Sequence, residues 1–115
     1  MSDIQIYHNP RCSKSRETLK LLQDKGITPV VVEYLKDVPS EDEIRQLIQL
    51  LGFSSARELM RTKEEEYKQQ NLASADEATL IRAMANTPKL IERPIVINGN
   101  QARIGRPPEQ VLEIL

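Results

Sequence analysis

Residues 4–34 constrain the fold more than any other stretch. Residues 4–7 (Ile-Gln-Ile-Tyr) alternate, as a strand with one buried face does. Residues 13–25 carry Leu19 and Leu22 on one helical face with Leu21 beside it, and Gly26 stands where a helix stops. Residues 30–34 (Val-Val-Val-Glu-Tyr) are rich in β-branched side chains and predict a second strand. Strand, helix and strand in this order make a βαβ unit, whose crossover joins parallel strands.

The rest of the chain breaks that alternation. Ser40-Glu41-Asp42-Glu43 is a capping box. The helix after it carries Ile44, Leu47, Ile48 and Leu51 at helical spacing and stops at Gly52. A second start at Ser54 or Ser55 opens a short helix through Leu59 and Met60. Residues 63–70 read as a solvated helix or turn, and residues 76–85 as a helix with Leu80, Ile81 and Met84 inward. Residues 94–97 predict a strand, Asn98-Gly99-Asn100 a hairpin turn, and residues 101–104 its antiparallel return. Pro107-Pro108 opens a last helix with Val111, Leu112 and Leu115 on its apolar face. The order is β-α-β, a helical block, then β-β-α. This is an α/β chain of thioredoxin-like order, with a mixed four-stranded sheet and the helices inserted before the hairpin.

A length of 115 residues suits one domain spanning 1–115. No apolar run approaches the length of a membrane span. Met1-Ser2-Asp3-Ile4 offers neither the basic nor the apolar region of a secretion signal. The net charge of −1 and scarce aromatics argue against nucleic-acid binding. One cysteine excludes a disulfide within the chain and suits a reducing compartment, most simply the cytoplasm. A monomer suffices for everything the sequence predicts.

That cysteine, Cys12, falls at the turn from the first strand to the first helix. Unpaired amides at a helix start favour negative charge, and Arg11, Lys14 and Arg16 are close in sequence. Such a setting holds a thiolate and an anion beside it. A buried structural cysteine is the bland reading, but Asn9, Pro10, Arg11, Ser13 and Lys14 are poor core neighbours. A CxxC partner would stand at position 15, which is Ser15, so any redox cycle borrows an external thiol. A Cys-x5-Arg phosphatase loop is absent, because its arginine would fall on Thr18.

His8, the single histidine, cannot assemble a metal site with one cysteine. It reads as a polar strand end or as a helper of the thiolate. Arg61, Arg93, Arg103 and Arg106 stand at element ends, where guanidinium groups can hold a tetrahedral oxyanion by charge-assisted hydrogen bonds. A thioredoxin-like fold implies a cis-proline at Pro94, whereas a proline that merely begins a strand is usually trans.

Four segments carry a specific likeness: 6–16 (Ile-Tyr-His-Asn-Pro-Arg-Cys-Ser-Lys-Ser-Arg), 56–61 (Ala-Arg-Glu-Leu-Met-Arg), 92–96 (Glu-Arg-Pro-Ile-Val) and 103–107 (Arg-Ile-Gly-Arg-Pro). In order and spacing they resemble the glutaredoxin-linked arsenate reductase (ArsC) family, in particular its short YfgD-like branch. The resemblance implies reduction of arsenate to arsenite with Cys12 as nucleophile. It implies that Arg61, Arg93 and Arg106 hold the oxyanion, that His8 helps lower the thiol pKa, and that Ser15 and Arg16 belong to the loop approaching the anion. It implies no bound cofactor or metal, glutathione as co-substrate and glutaredoxin as partner. Two other readings share the fold. A Spx-type regulator would bind RNA polymerase, but such proteins tend to have a CxxC and to lack the arginine matching Arg106. A monothiol glutathione-dependent thiol transferase would use Cys12 without needing Arg61 or Arg106.

Overall fold

The computed structural model describes residues 4–115. They fall into two compact units, residues 4–37 with Arg93–Leu115, and Val38–Glu92. The first contains β1 (Ile4–Tyr7), α1 (Ser13–Asp24), β2 (Val30–Val32), β3 (Ile95–Asn98), β4 (Gln101–Ile104) and a terminal 3-10 helix, Pro108–Ile114. Among the described residues these strands form one mixed sheet in the order β2-β1-β3-β4. β2 runs parallel to β1 with Val32 opposite Tyr7. β3 is antiparallel to β1, and β4 antiparallel to β3. Asn98 faces Gln101 across a tight turn in which Gly99 takes φ +62°. This is the thioredoxin-like arrangement expected of the sequence.

The sheet, α1 and the terminal segment share a core. Ile4 and Ile6 point to the same face of β1 and meet Leu22, Val96, Val111 and Ile114, with Leu19 and Leu21 partly buried against them. The second strand is shorter than the expected 30–34. Glu33 leaves the ladder and its carbonyl accepts from the Lys36 and Asp37 amides, closing a turn. Tyr34 then buries its ring on Tyr7, with centroids 6.5 Å apart. The last element is a 3-10 rather than an α-helix, which corrects its expected face. A three-residue period buries Val111 and Ile114 and turns Leu112 and Leu115 to solvent.

The second unit contains α2 (Glu41–Leu51), α3 (Glu65–Gln69) and α4 (Glu77–Asn86), with 3-10 turns at Ala56–Leu59, Leu72–Ser74 and Pro88–Leu90. Ser40 and Glu43 form the capping box of α2, and Gly52 ends it at φ +74°. Ser55 and Glu58 form a second box, so the short helix begins from Ser55. Leu80, Ile81 and Met84 are buried on α4 as expected. Residues 63–70 are not wholly solvated: Tyr67 is buried, and its hydroxyl accepts from Arg57 Nε at 3.1 Å. No helix of the described residues is long and apolar enough to cross a membrane.

Candidate active site

The loop between β1 and α1 is built by Asn9. Its carbonyl accepts from the Cys12 amide and its Oδ1 from the Arg11 amide, both at 3.0 Å. The resulting turn leaves Cys12 extended (φ −95°, ψ 124°) as the N-cap of α1. Its carbonyl takes the first helical bond, from the Arg16 amide. The half-buried sulfur therefore lies at a helix start, where amides have no carbonyl to meet.

Burial acts to raise the Cys12 pKa, but the Ser15 amide, the charge and hydrogen bond of Arg93, and the Lys14 amide outweigh it. The net shift is below the ordinary 9.0. Arg106 Nη2 lies 3.7 Å from Sγ, and Arg106 Nε donates to the Arg93 carbonyl at 2.8 Å. Two guanidinium groups thus converge on one sulfur. Arg93 keeps a spare donor, because its buried Nε has no hydrogen-bond partner among the described residues.

Ser15 supports this arrangement from below. Its buried hydroxyl accepts from the Asn9 amide at 3.0 Å and lies 2.6 Å from His8 Nδ1. With neutral His8 protonated at Nε2, the hydroxyl donates to Nδ1 while its oxygen accepts from the Asn9 amide. Burial lowers the His8 pKa, Glu33 opposes and Arg16 adds to the lowering; the net shift is below 6.5. His8 is therefore mainly neutral at pH 7. Its ring nitrogen meets the Ser15 hydroxyl, while the Ser15 amide is among the groups that lower the Cys12 pKa.

Gly105 sets how close the arginine strand comes. A Cβ there would fall 2.6 Å from Thr18 Oγ1 on α1 and 2.9 Å from Pro94 Cγ. The bare glycine lets its amide donate to the Pro94 carbonyl at 2.9 Å, one residue before Arg106. The Arg93–Pro94 and Arg106–Pro107 bonds are both cis.

The other expected residues each have partners of their own. Arg16 Nη1 donates to the Pro10 carbonyl at 2.9 Å, so Arg16 braces the loop. Arg103 is engaged by Glu113 at 2.9 Å and by the Ala102 carbonyl. Arg61 belongs to the second unit, where its amide bonds the Leu90 carbonyl and its guanidinium lies 3.9 Å from Glu64 and 3.7 Å from Glu92. Among the described residues, no three His, Cys, Asp or Glu side chains are grouped to hold a metal.

The sequence matches the ArsC family over residues 7–114. The chain belongs to the ArsC family. This ArsC chain is 59% identical over 114 residues to the Escherichia coli K12 protein YfgD, covering 97% of this chain and 96% of that one. It is 54% identical over 112 residues to an arsenate reductase of Haemophilus influenzae, covering 96% and 97% of the two. Its structure matches that of an arsenate reductase from Vibrio cholerae with a TM-score of 0.97 at 56% identity, over 99% of this chain and 98% of that one. In the ArsC chain, sequence reading missed two supports of the site: the Ser15 hydroxyl as the link to His8, and the close packing of Gly105. A lone glycine directly after a strand was the available signal for the second.

Proposed function

We propose that this ArsC protein reduces arsenate to arsenite, taking electrons from glutathione and returning to the free thiol with the help of glutaredoxin. The observation that carries the reading is the Cys12 sulfur at a helix start, with Arg106 at 3.7 Å and Arg93 acting on the same atom. Its ArsC membership and the named arsenate reductases at high identity support the choice of oxyanion.

In the first step the Cys12 thiolate forms a bond to arsenic, and one arsenate oxygen leaves as water after protonation. Arsenic stays pentavalent. Arg93 and Arg106 neutralise the charge of the oxyanion, and the helix-start amides hold it in line. Arg61 is assigned to the same oxyanion on the family pattern. In the second step a glutathione thiolate attacks the Cys12 sulfur. The S–As electron pair leaves with arsenic, giving arsenite and a Cys12–glutathione disulfide. A glutaredoxin thiolate then takes the glutathione and frees Cys12. External thiols are required because position 15 is serine.

The test is turnover of arsenate with glutathione and glutaredoxin. Cys12→Ser is expected to abolish it, and Arg106→Ala to lower kcat/KM by roughly 10²–10³, as loss of one oxyanion donor does. Phosphate is expected to compete without being reduced. Full turnover by Cys12→Ser would refute the mechanism. Thiol transfer that is indifferent to Arg61 and Arg106, with no arsenite formed, would favour the transferase reading.

A further inference from the structure

A cavity lies beside the reactive loop, and neither Arg93 nor Arg106 lines it. It encloses about 360 Å³ and is lined by His8, Pro10 and Arg11 on one side and Glu33, Leu35 and Lys36 on the other. The sheet register explains its place. Tyr7 and Val32 end the parallel pair side by side, and the His8 amide bonds the Val32 carbonyl. Both segments therefore emerge at the carboxyl end of neighbouring parallel strands, where α/β sheets place ligands. The next residue after Arg11 is Cys12.

We infer that this cleft seats the tripeptide thiol that attacks the Cys12 adduct, an inference resting on the glutathione-dependent reading above. Glutathione carries two carboxylates, one ammonium and a central thiol. Arg11 and Lys36 supply cations for the carboxylates and Glu33 an anion for the ammonium. Pro10 and Leu35 offer apolar surface for the methylene arms, and Leu35 is left exposed by the protein itself. Lys36 and Glu33 pair only at 3.8 Å, and the Lys36 side chain is 84% exposed. So weak an exposed pair exchanges readily for ligand groups. The volume also falls in the range of small-molecule sites.

Two measurements test this. In the first, S-methylglutathione, which cannot react, is titrated into the ¹⁵N-labelled chain. The amides of Arg11, Glu33 and Lys36 are expected to shift, while inorganic phosphate shifts those near Arg93 and Arg106. Phosphate collecting in the cleft, or S-methylglutathione shifting only the Arg93 and Arg106 region, would overturn the inference. In the second, arsenate turnover is driven by glutathione or by uncharged 2-mercaptoethanol. Lys36→Glu is expected to reduce the preference for glutathione about tenfold, the scale of one charge-assisted contact. An unmoved preference would overturn it. Failure of arsenate turnover in the wild-type chain would instead strike the proposed function, and the titration separates the two.

Discussion

Cys12 is held between opposing influences, and their balance belongs to single residues. Burial favours the neutral thiol; the Ser15 and Lys14 amides and Arg93 favour the thiolate. The sign is checkable. Removing the Arg93 charge lets the pKa climb toward 9.0, so less thiolate exists at pH 7. The pH midpoint of Cys12 alkylation by iodoacetamide is therefore expected to move upward in Arg93→Ala. A midpoint that stays or falls would show that Arg93 does not act on the sulfur. At this scale the sequence disclosed the thiol, the helix start and the absence of a second cysteine. It did not disclose that Arg16 would turn to the Pro10 carbonyl. It also did not disclose that His8 would be lodged against Ser15, because a hydrogen bond between positions seven apart depends on the loop's three-dimensional turn.

Elements were legible where a pattern admitted one period. The Asn-Gly turn and the flanking strands fixed the hairpin, and the capping boxes fixed the starts of α2 and the Ala56–Leu59 turn. The terminal segment was ambiguous because Val111 fits both a three-residue and a 3.6-residue repeat; packing in the core decided for the tighter helix. Likewise, Tyr67 lies in a charged run whose composition speaks for solvent, and only the fold supplies its half-buried partner Arg57. Gly105 gives this scale its prediction. Gly105→Ala presses a methyl group into Thr18 and Pro94, and overpacking of this kind costs about 1–3 kcal/mol. Denaturant unfolding is expected to show that loss. Thr18→Ala in the same chain should restore part of it, with a double-mutant coupling between the two sites. Additive effects would mean that the helix and the strand end adjust independently.

For the molecule as a whole, one thiol in 115 residues means that oxidation cannot be resolved internally. Glutathione disulfide is expected to add one glutathione to the wild-type chain and none to Cys12→Ser, as read by intact mass. Because the fold favours the thiolate, the folded chain should react faster at pH 7 than the same chain unfolded in guanidinium. A slower folded chain would show that burial prevails over the amides and Arg93.

Ser15 has two separate attachments: its amide reaches the Cys12 sulfur and its hydroxyl meets His8 Nδ1. A change of charge on the sulfur is therefore expected to reach the ring through one short residue. The imidazole nitrogens of a ¹⁵N-labelled chain are expected to shift when Cys12 is alkylated, and unmoved signals would show that Ser15 does not carry the charge across. The same small serine that denies the chain an internal disulfide would then give it an internal indicator.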